Sequence, residues 1–207
     1  MKKILPNMLA LIIAVFVCAI KPAQAQTKTI LAFGDSLTAG LGLPASKAFP
    51  AQLEEKLRTE GYDIKIINAG VSGDTTGGGL ARLEFSLTTN PDFVILELGA
   101  NDMMRAIALD HVEKNLRGML DILKERKIPV LLCGMKSFRN LSLFGDKFQK
   151  VYKKLANEYD VHYYPFFLKD VAMESHLNQT DGLHPNAAGV KVIVDNIFPY
   201  VEDLIEE

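Results

Sequence analysis

A serine near one end of the sequence and a histidine near the other stand in settings that suit acyl transfer. Residues 34–37 read Gly-Asp-Ser-Leu and place Ser36 in a turn of small residues, directly after an apolar run. Residues 181–185 read Asp-Gly-Leu-His-Pro, a spacing at which the Asp181 carboxylate can reach a ring nitrogen of His184. A carboxylate so placed fixes the tautomer of an imidazole that takes the serine proton and later delivers it to the leaving group. Ser36, Asp181 and His184 are therefore candidates for a nucleophile and its activating pair.

Two further blocks could supply hydrogen-bond donors to the oxyanion of a tetrahedral intermediate. Residues 68–75 read Asn-Ala-Gly-Val-Ser-Gly-Asp-Thr, and residues 99–102 read Gly-Ala-Asn-Asp. Gly73 lets its backbone N–H approach a ligand closely, and the Asn101 amide donates without adding a charge. Each such donor contributes about 3 to 4 kcal/mol to acyl transfer. Taken singly, each block would be interpreted as an ordinary turn.

The elements that must position these residues are indicated by apolar patterning. Five apolar runs rich in β-branched residues predict strands over residues 29–33, 64–67, 93–98, 130–133 and 161–166. Several are apolar at nearly every position, as a parallel sheet covered on both faces requires. Stretches with helical spacing lie between them, and the last covers residues 190–205. The alternation predicts a doubly wound α/β sandwich with a five-stranded parallel sheet, whose sites lie beyond the carboxyl ends of the strands.

The first 25 residues have the layout of an export signal. Two lysines precede an apolar stretch of 13 residues, and Ala-Gln-Ala at residues 23–25 forms a cleavage site. A spanning helix needs roughly 20 apolar residues. We expect cleavage after Ala25, a periplasmic or secreted protein, and no stable membrane insertion of the mature chain. An uncleaved anchor is the alternative.

The mature chain, residues 26–207, is predicted to be a single domain and a monomer. It has 20 basic and 25 acidic residues, a net charge of about −5, without the basic face that nucleic-acid binding requires. Its length suits one compact domain. Since Cys133 is its one cysteine, it cannot form an internal disulfide. We expect small molecules as its partners and no nucleic acid.

The four blocks occur in the order typical of the SGNH (GDSL) hydrolases, and over residues 29–189 the chain resembles this family. The resemblance implies a flavodoxin-like three-layer αβα sandwich that needs no cofactor. It also implies that Ser36 is the nucleophile, that Asp181 and His184 complete the triad, and that the Ser36 N–H, the Gly73 N–H and the Asn101 side chain bind the oxyanion. The expected reaction is hydrolysis of a carboxylic ester or thioester through an acyl-enzyme.

The branch that the chain resembles contains thioesterase I, lysophospholipases and arylesterases. Residues 72–75, 79–83 and 164–167 carry this likeness, whereas residues 138–145 read Phe-Arg-Asn-Leu-Ser-Leu-Phe-Gly in place of the branch's Pro-Asn-Tyr-Gly type. The substrate therefore stays open among lysophospholipids, acyl thioesters such as acyl-CoA, aryl esters and carbohydrate acetates.

Two apolar loops are candidates for binding an acyl chain. One follows Asn101 and the other follows the fourth strand, and the candidate side chains are Met103, Met104, Ile107, Leu141 and Phe144. A hydrophobic tail gains about 0.8 kcal/mol for each methylene buried. The alternative is that these residues only pack at the starts of helices.

Other functions compete with a serine esterase. One is a carbohydrate or lipid deacetylase on the same fold, and another is a non-catalytic acyl-binding protein. Asp35, Asn101, Asp102 and His184 could be imagined as the metal ligands of a phosphoesterase, but the sequence has no paired ligand motif. An α/β-hydrolase is disfavoured because no Gly-x-Ser-x-Gly elbow is present. We expect neither a metal nor a cofactor.

Overall fold

The computed structural model describes residues 27–136 and 142–206, in which strands alternate with helices around a parallel sheet. The strands are β1 (Lys28–Gly34), β2 (Ile64–Gly70), β3 (Phe93–Glu97), β4 (Val130–Cys133) and β5 (His162–Tyr164). Their order in the sheet is β2-β1-β3-β4-β5, and every neighbouring pair is parallel. This is the flavodoxin-like strand order. The predicted α/β fold is confirmed.

Helices cover both faces of the sheet. They are α1 (Ser36–Ala39), α2 (Phe49–Thr59), α3 (Thr76–Ser86), α4 (Ala100–Met104), α5 (Leu109–Glu125), α6 (Ser142–Tyr159) and α7 (Ala187–Glu206). On one face α2 packs against α7, and on the other α5 packs against both α3 and α6. Every residue of β3 is buried as a result. The apolar runs of the sequence are thus explained by helices on both sides of each central strand.

The predicted strand ends lie within one residue of the observed ones in β1, β3 and β4 and differ by more in β2 and β5. Strand β2 continues to Gly70, three residues beyond its apolar run, because its pairing with β1 continues in register up to Gly34 and Gly70. Strand β5 is limited to His162–Tyr164, which pair with Leu131–Cys133 of the four-residue strand β4. Backbone pairing, which composition does not report, sets both limits.

The end of β1 is built for a direct turn into α1. A side-chain carbon at Gly34 would lie 2.1 Å from the Thr38 hydroxyl oxygen and 2.5 Å from Glu97 Oε2, so a glycine is required there. The Asp35 side chain caps α1 by accepting from the Leu37 N–H at 2.9 Å. The chain therefore leaves the sheet edge with Ser36 in the first turn of the helix.

The export signal predicted over residues 1–25 lies outside the described residues. Among the helices of residues 27–136 and 142–206, none combines the length and the apolar character needed to cross a bilayer.

Candidate active site

The three residues predicted to form a triad meet at the carboxyl edge of the sheet. Ser36 Oγ lies 2.9 Å from His184 Nε2 although 148 positions separate the two residues in the chain. On the other side of the same ring, His184 Nδ1 lies 2.7 Å from Asp181 Oδ2. One continuous chain of hydrogen bonds thus joins a carboxylate, an imidazole and a hydroxyl, which is the arrangement that activates a serine as a nucleophile.

Asp181 is held in place by its own short loop. Its Oδ1 accepts from the backbone N–H groups of His184 and Leu183, at 3.0 and 2.8 Å. These two N–H groups, together with the His184 side chain, lower the pKa of Asp181 to about 2. The carboxylate is therefore ionised at neutral pH and lies where it can accept a hydrogen bond from His184 Nδ1.

Three candidate donors, the Ser36 N–H, the Gly73 N–H and the Asn101 side chain, follow strands that end at this edge of the sheet. The Asn101 amide, in the first turn of α4, donates to Asp35 Oδ2 at 3.0 Å, which fixes its orientation and leaves its second hydrogen available. Gly73 has φ +83°, a conformation that favours glycine, and its carbonyl accepts from Arg105 Nη2 at 2.8 Å. Within the described ranges, the N–H groups of Ser36 and Gly73 donate to no acceptor of the chain. Donors of this kind are what an oxyanion requires.

Two buried acids lie directly behind the Ser36 turn, and the sequence patterns did not identify their roles. Asp35 and Glu97 are both fully buried. Glu97 Oε2 accepts from the Thr38 hydroxyl at 2.6 Å and from the Asp35 N–H at 3.3 Å. Burial raises the pKa of Asp35 to about 6. Burial, followed by the nearby Asp35 charge, raises the pKa of Glu97 well above its usual range. Glu97 is the one charged residue in the apolar run of β3, and this was the sequence signal that could have identified it.

Replacing Glu97 with glutamine is expected to flatten the dependence of stability on pH. Wild-type Glu97 keeps its proton to higher pH in the folded state than in the unfolded chain, so the free energy of unfolding falls as the pH rises above about 4.5. Glutamine keeps the shape and carries no such proton. Measured by urea unfolding, the free energy of unfolding should fall less between pH 5 and pH 8 for Glu97→Gln than for wild type. Equal falls in the two proteins would contradict a neutral Glu97.

An apolar cleft with a volume of about 50 Å³ adjoins Ser36, Asn101 and His184 and opens to solvent. Its apolar lining consists of Leu37, Ala100, Met103, Met104, Met135, Leu168 and Leu183, with Lys136 also at its wall.

The structure places the five acyl-binding candidates differently with respect to the Ser36 cleft. Met103 and Met104 lie at the wall of the cleft beside Ser36. Ile107 instead lines a separate depression beside His111 and Asn115, so the structure does not bring it to the Ser36 cleft. Leu141 and the Phe144 side chain fall outside the described residues. The sequence patterns missed Met135 and Leu168, which come to the cleft from distant parts of the chain.

The four residues considered as metal ligands are engaged in other contacts. Asp102 accepts from the Thr76 N–H at 2.8 Å and from the Thr76 hydroxyl at 2.6 Å. Asp35 binds the amide of Asn101, and His184 lies between Asp181 and Ser36. In the part of the chain that the structure describes, no group of three or more His, Cys, Asp or Glu side chains is placed to hold a metal ion.

The fold and this site define a serine hydrolase, and the chain belongs to the GDSL-like Lipase/Acylhydrolase family, whose model matches residues 32–192. The family predicted from the four blocks is confirmed. Esterase TesA of Pseudomonas aeruginosa is 36% identical, covering 88% of this chain and 92% of that protein. The arylesterase of Vibrio mimicus is 38% identical, with coverages of 84% and 87%. Thioesterase 1/protease 1/lysophospholipase L1 of Escherichia coli K12 is 36% identical, with coverages of 87% and 86%.

Solved structures show the same likeness. The crystal structure of TesA has a TM-score of 0.82 and 36% identity, covering 86% of this chain and 99% of that one. The SGNH-hydrolase family esterase AlinE4 has a TM-score of 0.74 and 43% identity, with coverages of 87% and 98%. The likeness therefore extends over nearly the whole of these enzymes.

Proposed function

We propose that this protein hydrolyses carboxylic esters or thioesters that carry an apolar acyl group, with the acyl group held transiently on Ser36. The observation that carries the proposal is the continuous chain from Asp181 through His184 to Ser36, which ends beside a mostly apolar cleft. A family of serine hydrolases uses such a chain for acyl transfer, and the relatives are named as esterases, an arylesterase and a thioesterase.

The first step of the proposed mechanism forms the acyl-enzyme. His184 Nε2 takes the Ser36 proton as Oγ bonds to the carbonyl carbon, and the carbonyl electron pair moves onto the oxygen. The Ser36 N–H, the Gly73 N–H and the Asn101 amide stabilise that oxyanion. When the carbonyl re-forms, the bond to the alkoxide or thiolate breaks, and His184 gives this leaving group its proton.

The second step releases the acid. A water molecule takes the place of the leaving group and loses a proton to His184 Nε2 as its oxygen bonds to the acyl carbon. Collapse of the second tetrahedral intermediate breaks the bond to Ser36 Oγ, which recovers its proton from His184. The ionised Asp181 stabilises the imidazolium in both steps, and the chain's own residues supply every proton transfer.

The cleft beside Ser36 is the proposed acyl site. Its apolar side chains would gain free energy from each buried methylene, whereas the acetyl group of a carbohydrate offers a single methyl group. This difference favours an acyl esterase over the alternative of a carbohydrate deacetylase. Met103 and Met104 are the sequence candidates retained in this site, and Met135, Leu168 and Leu183 are added to it.

A panel of substrates that vary in acyl chain and in leaving group tests the proposed function. Across p-nitrophenyl esters from C2 to C12, kcat/KM is expected to rise by at least about tenfold, because each methylene buried contributes up to about 0.8 kcal/mol. Oxygen esters and thioesters with the same acyl chain should both be hydrolysed. A kcat/KM that is highest for C2 would instead support a deacetylase.

Two exposed methionines provide a matched pair of variants for this panel. Met104 is 60% exposed and lies at the cleft, whereas Met173 is 72% exposed and lies outside the cleft wall. Met104→Ser should reduce the gain in kcat/KM from C2 to C12, and Met173→Ser should leave it unchanged. Equal effects of the two substitutions would contradict the proposed acyl site.

We also propose that residues 1–25 direct export to the periplasm or beyond the cell, and that residues 26–207 act as one monomeric domain. The support is the order of basic, apolar and small residues at the start of the sequence. Expression of the full chain in a Gram-negative host should yield a protein that begins at Gln26, as amino-terminal sequencing would show. Recovery of a chain that still begins at Met1 would contradict cleavage.

A further inference from the structure

One arginine of α3 joins three backbone segments at the edge of the sheet where Ser36 lies. Arg82 donates through Nη2 to the Gly34 carbonyl at 2.9 Å, through Nη1 to the Ala69 carbonyl at 2.9 Å, and through Nε to Asp74 Oδ2 at 2.7 Å. A planar guanidinium holds these donors in a rigid fork. The three acceptors are therefore fixed relative to one another as well as to Arg82.

The three acceptors lie close in the chain to groups of the proposed mechanism. Gly34 is two residues before Ser36, and Asp74 directly follows Gly73. Ala69 is the next-to-last residue of β2 that pairs with β1, just before the chain enters the loop that carries Gly73. Arg82 thus connects the turn that presents the Ser36 N–H with the loop that presents the Gly73 N–H.

The sheet alone does not fix this relationship. Pairing between β1 and β2 ends at Gly34 and Gly70, and one further hydrogen bond, from the Val71 N–H to the Gly34 carbonyl at 3.0 Å, follows it. Beyond that bond the loop must hold Gly73 at φ +83°. The Asp74 N–H closes this turn by donating to the Val71 carbonyl at 3.0 Å, and Arg105 donates to the Gly73 carbonyl at 2.8 Å. Arg82 adds the connection from Asp74, just after Gly73, back to the ends of β1 and β2.

Arg82 is itself held firmly. Its side chain is 22% exposed and that of its partner Asp74 is 11% exposed, so the ion pair is shielded from water. The Arg82 guanidinium carbon lies 3.9 Å from the centre of the Phe33 ring, which supports the fork from one face. Because the Arg82 guanidinium is restrained in this way, it can hold the backbone segments that it binds in fixed positions.

We propose that Arg82 is a positioning residue for acyl transfer, which sets the separation of the Ser36 and Gly73 N–H groups so that both reach one oxyanion. The proposal rests on the proposed function and adds to it a residue that does not touch the substrate. Loss of one oxyanion donor lowers kcat by about 10²- to 10³-fold, and a displacement of about 1 Å can have an effect of about 10²-fold. A loosened Gly73 loop should therefore affect the transition state more than substrate binding.

The test compares Arg82→Lys with Arg58→Lys. Lysine keeps the charge but cannot make three bonds in one plane, and Arg58 is an exposed arginine of α2 that pairs with Glu54. With p-nitrophenyl hexanoate, Arg82→Lys should lower kcat by about 10- to 100-fold and change KM by less than about threefold. Its affinity for a hexyl trifluoromethyl ketone, which mimics the tetrahedral intermediate, should fall by a similar factor. Its affinity for hexanoate should stay within about threefold, and Arg58→Lys should match wild type throughout.

A second variant keeps the proposal testable if Arg82→Lys does not fold. Asp74→Asn removes the ion pair but leaves the two bonds from Arg82 to backbone carbonyls, and should lower kcat by about 3- to 10-fold. Because both changes act on one connection, the double variant should lose little more than Arg82→Lys alone.

Three results would overturn the positioning role. They are a folded Arg82→Lys with kcat within about twofold of wild type, an equal loss of affinity for the ketone and for hexanoate, and an Asp74→Asn variant with unchanged kcat. An inactive wild-type protein would instead refute the proposed function, so the two failures are distinguishable.

Discussion

Replacing Ser36 with alanine is expected to lower kcat by about 10⁴-fold or more, because the substitution removes the atom that carries the acyl group in the proposed mechanism. Ser36 Oγ is also the group that His184 Nε2 contacts, at 2.9 Å, so the imidazole loses its proton donor. The backbone N–H of residue 36 and the apolar cleft are unchanged by the substitution. Affinity for a fatty acid should therefore stay close to that of wild type while turnover is lost.

Steady-state hydrolysis of a p-nitrophenyl ester, with fatty acid binding measured in parallel, checks this expectation. Ser46→Ala is a matched control, since Ser46 is an exposed serine outside the cleft. It should keep wild-type kcat. A Ser36→Ala variant that retained more than about one tenth of wild-type kcat would refute nucleophilic catalysis by this residue.

Replacing His184 with alanine is expected to have an effect of similar size, about 10⁴- to 10⁶-fold in kcat. In the proposed mechanism the imidazole accepts the Ser36 proton, and Asp181, although ionised, is bound to the ring and not to the hydroxyl. Residues that act as one unit do not contribute additively. The double variant Ser36→Ala/His184→Ala should therefore be about as slow as either single variant.

The comparison uses the same ester and adds His176→Ala, which removes a histidine whose side chain is 72% exposed. That control should retain wild-type kcat. If the losses of Ser36→Ala and His184→Ala multiplied in the double variant, the two residues would act independently, and the proposed relay of protons would be wrong.

Much of the fold could be predicted from the sequence because burial on both faces leaves a strong pattern. Strands such as β3 are apolar throughout and lie between helices with a regular apolar face. Amphipathic α2 shows this, since Phe49, Leu53 and Leu57 share one face and all three are buried. The exact ends of β2 and β5 could not be predicted, because they depend on pairing with a neighbouring strand.

The positions of the chemical groups were also predictable, for a topological reason. Ser36, Gly73 and Asn101 follow three strands that are adjacent in the sheet, so parallel pairing brings their loops to one edge. The approach of His184 to Ser36 was inferred from residue types and is present in the structure at hydrogen-bond distance. Their catalytic roles remain a proposal.

The supporting residues were not predictable from local patterns. Arg82 lies within residues 79–83, which carry the likeness to the family branch, but its proposed role depends on carbonyls 13 and 48 positions away. Ile107 was grouped with Met103 and Met104 because they are close in sequence, but the chain turns after α4 and carries Ile107 to another depression. The three residues are close in sequence, but the structure places only Met103 and Met104 at the Ser36 cleft. The prediction that Ile107 lies there is wrong.

The most direct test of the central claim is covalent labelling with an alkyl fluorophosphonate. A nucleophilic Ser36 Oγ would displace fluoride, and one phosphonyl group per chain should be found on the tryptic peptide of residues 29–47, at Ser36, in step with the loss of esterase activity. His184→Ala should label far more slowly. Full inactivation with the label on another residue, or full activity with Ser36 labelled, would contradict the proposed mechanism.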